Sequence, residues 1–357
     1  MKKFNCHCGN TIYFENVQCV NCRRPLGFLP DMKTMSAFEK EAGQAWRSLL
    51  QDSDINGYRQ CHNYEKEDIC NWMVPETDKN KYCLSCRLTR MIPDLTRPEN
   101  KRLWFRLEKA KRRLLYTVLV FGLPLVGREH DATGGLAFDF LEDSVFTNKV
   151  VTGHSKGVIT INLAEADPSA REEIREQMKE RYRTLLGHFR HEIAHYYWDR
   201  LVWGTLHMEE FRLSFGDERQ NYQQSIDRHY TQGPPDDWKT SFISAYATMH
   251  PWEDWAETWS HYMHIVDTLE TAHEWGIGLS GRPVSHPAST MQEGAAYAAS
   301  SYIPPFNEII NHWINLTLVL NALNRSMGMP DPYPFILSET VIEKLHFVHD
   351  VIRSAVK

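Results

Sequence analysis

No cysteine follows Cys86 in this chain of 357 residues; the eight present fall into two groups of four. Residues 87–357 therefore have no thiol to staple them and must fold on an apolar core, for which a composition of 42% hydrophobic residues suffices. No apolar run reaches the roughly 20 residues of a membrane-spanning helix. The longest, LLYTVLVFGLPLV at 114–126, contains Gly122 and Pro124 and reads as core, so no membrane is expected. The first residues, MKKFNCHCGN, have two lysines but no apolar segment behind them, so a signal peptide is not expected and the chain is expected in the cytoplasm. An excess of one charge is missing too. The net charge is −6 with both signs interspersed, which argues against the basic stripe of a nucleic-acid binder. KAKRR at 109–113 is an isolated basic run that could meet an anionic partner; with no second patch to join, it reads as a solvated helix face. Internal repeats and low-complexity segments are absent, and TQGPPDDW (231–238) and GMPDPYPF (328–335) read as loop breaks.

The cysteines that are present stand at metal-ligand spacing. CHC (Cys6, Cys8) runs into Gly9, and CVNC supplies Cys19 and Cys22; between them TIYFEN alternates as a small hairpin would. This is the pattern of a zinc ribbon, in which four thiolates around a tetrahedral ion fold a segment too short for its own core. The second group is looser, with Cys61, Cys70 and then CLSC (Cys83, Cys86), and reads as another four-cysteine site with His62 as an alternative to one thiolate. A reducing compartment disfavours disulfides, which strengthens the metal reading. The intervening DMKTMSAFEKEAGQAWRSLLQ looks helical. The expected organisation is a zinc ribbon over 1–30, a connector and second zinc module over 31–95, and one larger domain over 96–357.

That larger domain begins with a basic amphipathic helix leading into the apolar run. GLAFDFLED and GVITINLAEAD (157–167) read as strands, the latter with Val158, Thr160 and Asn162 opposite Ile159, Ile161 and Leu163. DPSAREE then starts a helix: Asp167 can cap it, Pro168 suits its first turn, and Ser169 with Glu172 has capping-box spacing. A stripe of Ile174, Met178, Tyr182, Leu185 and Phe189 carries the helical pattern into RHEIAHYYWD at 190–199.

On a helix, the histidines of HEIAH, His191 and His195, lie one turn apart on one face and can reach a single ion. Glu192 then projects beside that ion, where a general base for the attacking water belongs. A catalytic zinc needs a third protein ligand and an open position. The strongest source is HPWEDWAETWSHYMHIVDTLETA (250–272), in which Glu253 and Glu257 face one way amid Trp252, Trp255, Trp259 and Tyr262. Asp217 in FGDER and Asp254 remain alternatives to Glu253 as ligand. His250, His261 and His264 read as hydrogen-bonded core residues.

HEIAH followed by EDWAE resembles the gluzincin arrangement, in which the first acid of a second helix binds zinc. It is distantly similar to the catalytic domain of anthrax lethal factor, where a tyrosine seven residues before that acid donates to the reacting oxygen. The resemblance implies Glu253 as ligand, Glu257 behind the ligands, and Tyr246 as oxyanion donor. The segments CHCG, CVNC, HEIAHYYWDRL, FGDER, HPWEDWAETWSHY and DPYPF together resemble a bacterial family of zinc-binding metallopeptidases with an N-terminal zinc ribbon, whose activity is itself a prediction. It implies an α+β fold, mainly a helical zincin-like metallopeptidase domain with a small sheet. It also implies one catalytic and two structural zinc ions. The reaction expected is hydrolysis of a peptide or isopeptide bond in a peptide or protein substrate, with the strand at 157–167 as an edge for an extended chain and the ribbon available to a protein partner. The rival is a non-catalytic, zinc-stabilised binding or regulatory module, which would have no use for Glu192.

Overall fold

The computed structural model describes residues 2–41, 45–50, 57–143, 149–177, 184–277 and 303–356, without the side chains of 174–177. These divide into two compact units. The first runs to Arg171 except for His154–Lys156, and the second holds that tripeptide and the described residues from Glu172 onward.

In the first unit, strands β1 (Lys3–Asn5) and β2 (Thr11–Tyr13) form an antiparallel hairpin with Phe4 opposite Ile12. Strands β3 (Leu26–Leu29), β4 (Thr34–Lys40), β5 (Trp46–Ser48), β6 (Tyr58–Gln60) and, after the short helix α1 (His62–Glu65), β7 (Met73–Pro75) make an antiparallel sheet in sequence order. The expected helix over 31–51 is thus replaced by two strands. The reason lies in burial: Met35, Ser36, Ala37 and Phe38 are all buried, so β4 is covered on both faces and lacks the alternation that marks a half-exposed strand.

Helix α2 (Pro98–Phe121) follows the short strand β8 (Thr89–Met91) and starts with proline in its first turn. It ends where Gly122 adopts φ 71°, with the Gly122 and Leu123 amides closing on Leu119 and Val118. Its basic run is not a solvated face. Lys111 and Glu108 pair at 2.8 Å with both side chains fully buried, and the ammonium lies over Phe138 and Phe140 at 5.5 and 5.7 Å. Arg112 donates to the Ile69 carbonyl and Arg113 to Glu15, so three of the run's four cations, all but Lys109, are engaged inside the unit. Tyr116 of the same helix joins Phe14 and Phe28 in an aromatic core that Trp72 completes.

Strands β9 (Ala137–Leu141), β10 (Gly153–Ser155) and β11 (Val158–Asn162) join β8 in the order β10-β11-β9-β8. β11 runs parallel to β9, with Ile159 and Ile161 opposite Phe138 and Phe140. Of the strand expected at 157–167, only Val158–Asn162 is extended, Leu163–Ala166 forming a 3-10 turn, and this strand is internal and offers no free edge to a peptide. Gly157 is required before it, since at φ +81° an added Cβ would lie 2.3 Å from the Gly134 carbonyl oxygen.

Helix α3 (Pro168–Gln177) starts as read, with Asp167 Oδ1 accepting from the Ser169 amide at 2.8 Å. It does not run unbroken into HEIAH. Thr184 is extended (φ −117°, ψ 151°) and its side chain accepts from the Gly187 amide, opening a new helix, α4 (Leu185–Tyr197). Met178 and Tyr182 of the expected stripe lie outside the described residues.

The second unit is helical: α4, a π-helical turn at Trp198–Val202, α5 (Met208–Phe215), α6 (Tyr222–Gln232), α7 (Pro251–Glu274), α8 (Phe306–Ser326) and α9 (Glu339–Ala355). Helix α7 is its centre, packing on α4, α5, α8 and α9. Ala194 and Ala256 are fully buried and small, which lets α4 and α7 approach closely; there the Trp255 indole donates to the Ala194 carbonyl at 2.9 Å. The fold is thus mixed helix and sheet with helix predominant. Among the described residues no helix is long and apolar enough to cross a membrane.

Candidate metal centre

The cysteines converge as two separate groups, Cys6, Cys8, Cys19 and Cys22, and Cys61, Cys70, Cys83 and Cys86. Sulfurs on a tetrahedral zinc, with bonds of about 2.3 Å, stand about 3.8 Å apart. Cys6 to Cys22, Cys8 to Cys19 and Cys70 to Cys83 are each 3.7 Å, far beyond a disulfide bond, and all eight thiols are free. In the second group the amides of Trp72, Cys83 and Cys86 point at sulfurs of Cys70, Cys61 and Cys83, which suits thiolates. His62 is not a member; its ring packs on Tyr82, and four cysteines complete the set without it.

The third group is His191, His195 and Glu253. The two histidines lie a turn apart on α4, and Glu253 reaches them from the first turn of α7. Helix α7 begins with His250 accepting from the Trp252 amide and Pro251 in the first turn, so Glu253 sits where the positive end of the helix dipole favours a carboxylate. Its Oε2 lies 2.9 Å from His191 Nε2 and its Oε1 3.6 Å from His195 Nε2. Behind the group, Glu257 Oε1 stands 2.7 Å from His191 Nδ1, and Ser244 donates to Glu257 Oε2 at 2.6 Å. A carboxylate on the far nitrogen of a metal-binding histidine fixes its tautomer and orientation.

Charge tells the same story. Burial alone would lower His191, yet its hydrogen bonds to Glu253 and Glu257 raise it well above the usual histidine range. Two buried carboxylates around two imidazoles call for a cation, and a divalent ion supplies it without a proton. The donor set of two nitrogens and one carboxylate oxygen fits zinc with one position left open. Glu192 is buried beside the group, and that burial pushes its carboxyl up against the pull of His191 and His195.

The alternative ligands are occupied elsewhere. Asp254 faces away from the group and pairs with Lys344 at 2.6 Å; burial lifts its carboxyl to about 7 against that pull. Asp217 stays in an exposed loop, bound to Arg219 two residues on. Tyr246 lies in a single helical turn, Tyr246–Thr248, with its ring 5.9 Å from that of His191; burial and the Glu253 charge keep its hydroxyl protonated. His261 is hydrogen-bonded to Tyr333 and His264 packs on Trp313, so both belong to the core as read. Two neighbours escaped the sequence reading. His154 stacks 6.1 Å from His195, and Tyr222 donates to Glu253 Oε1 at 2.8 Å. Both lie more than thirty residues from the motif that they serve, and no spacing rule points to them.

An uncharacterized protein of Mycobacterium bovis is 42% identical to this chain over 354 residues, covering 99% of the chain and 95% of the relative. Two uncharacterized proteins from strains of Mycobacterium tuberculosis match to the same extent. No solved structure matches significantly. A zinc-ribbon domain family matches residues 3–97. A family described as "Putative zinc-binding metallo-peptidase" matches residues 100–351, which hold HEIAH and the helix of Glu253, and it is to this family that the chain belongs.

Proposed function

We propose that the chain is a zinc-dependent peptidase that hydrolyses peptide or isopeptide bonds, with His191, His195 and Glu253 as zinc ligands, in the manner of gluzincins. The observation that carries this is the convergence of those three side chains, backed by Glu257 on His191 Nδ1, with the buried Glu192 next to them. Zinc, when bound, supplies a Lewis acid that polarises the scissile carbonyl and acidifies the attacking water. Glu192 takes the water's proton and returns it to the departing nitrogen; its raised carboxyl suits both directions of transfer. Tyr246 donates from its hydroxyl to the oxyanion of the tetrahedral intermediate. Two further zinc ions in the cysteine groups hold the N-terminal region together. Membership of the metallopeptidase family supports the reading.

The test is digestion of a proteome-derived peptide library by the full chain, with new termini read by mass spectrometry. Glu192→Gln keeps the shape of the side chain but cannot accept the proton, so it is expected to retain its zinc and produce no new termini above background. Wild-type protein with its full zinc content that cleaves nothing, or a Glu192→Gln variant that cleaves as well as wild type, would refute the proposal.

A further inference from the structure

The carboxylate of Glu253 is held by a third element besides α4 and α7. Tyr222, the first residue of α6, donates its hydroxyl to Oε1 at 2.8 Å, while Oε2 is turned to His191 at 2.9 Å. The tyrosine is itself fixed. Asn221 caps α6 through the Gln224 amide, and the Tyr222 ring packs edge-on against His250 and Trp252 at 5.2 and 6.2 Å. Those two residues precede Glu253 at the start of α7, so ring and carboxylate are located by the same turn.

We infer that Tyr222 is a positioning residue for the metal ligand, its hydroxyl occupying one oxygen of Glu253 so that the carboxylate offers the ion the other. A carboxylate on a single bond can rotate and bind through both oxygens, which would fill the position a substrate needs. A donor held on one oxygen opposes that rotation, and a hydrogen bond to a charged acceptor is strong enough to do so. The phenol suits the task better than a lysine would, since it donates without neutralising the carboxylate. Tyr222 is thus distinct from Tyr246, which lies against the ring of His191.

The inference rests on the reading of His191, His195 and Glu253 as a zinc site, and it is tested without peptidase activity. The affinity of the full chain for zinc is measured by competition with a chromogenic chelator, with His191→Ala reporting the cysteine sites alone. Tyr222→Phe keeps the ring and its packing, so a merely structural tyrosine predicts no change. The expected result is an unaltered circular-dichroism spectrum of the folded chain and roughly 10–100-fold weaker binding at the third site, as is typical when a partner of a metal ligand is removed. Tyr222→Phe that binds the third zinc as tightly as wild type, while His191→Ala loses it, would overturn the inference and leave the zinc site standing. Loss of no ion in His191→Ala would remove the site and the inference together.

Discussion

Glu253 and Asp254 are adjacent acids in one helical turn, yet they serve opposite purposes. Glu253 turns to the histidines and Asp254 to Lys344, because successive helix positions point about 100° apart. Spacing alone left the candidate ligand open among Glu253, Asp254 and Asp217; of the three, Glu253 meets the histidines while the others pair with Lys344 and Arg219. Tyr246, half-buried beside His191, is the residue whose role leans most on resemblance, and its hydroxyl gives a clear experiment. If that hydroxyl meets the oxyanion only in the transition state, Tyr246→Phe lowers kcat by about 10–1000-fold with KM and zinc content little changed. Steady-state kinetics on a cleaved peptide with normal kcat in the variant would return Tyr246 to the core. That His191 and His195 come together was legible because a helix repeats every turn and brings i, i+4 side chains to one face. Tyr222 and His154 were not, since tertiary packing alone brings them to the site.

Helix α7 supplies Glu253 and Glu257 from one face and anchors the other against α9. The anchor is the Asp254–Lys344 pair, nearly closed to solvent, with the ammonium also donating to the Ser241 carbonyl and lying over Phe242. Lys344→Met leaves a buried carboxylate without its cation and should cost about 3–5 kcal/mol in urea unfolding, while Lys344→Met with Asp254→Leu recovers much of it. A single variant as stable as wild type would show that the pair does not hold α7. Helix α4 depends on its own start at Thr184, so Thr184→Ala should cost about 0.5–2 kcal/mol in the same measurement; no loss would mean that the helix is set by packing alone. The element boundaries show where sequence pattern runs out. The apolar stripe predicted continuity across residues 174–189, but a single capping threonine restarts the helix. The segment 34–40 was misread as helix because a strand buried on both faces has no period of two to detect.

Across the whole molecule, cysteine usage set apart an N-terminal part whose thiols converge in two groups of four from a thiol-free remainder, because ligand spacing is local and readable. The basic run at 109–113 shows the opposite case. Three of its four cations look like surface charge in sequence and instead meet Glu108, Ile69 and Glu15, the last two far off along the chain. A mixed fold with helix predominant was expected, while the internal place of β11 was not, since strand order is a long-range property. The central claim is that His191, His195 and Glu253 hold an ion of their own beside the two cysteine sites. It is tested most directly by counting metal in the full chain purified without added zinc, alongside His191→Ala. The account predicts about three zinc ions per chain, falling to about two in the variant with its fold intact. Two ions in both proteins would contradict it.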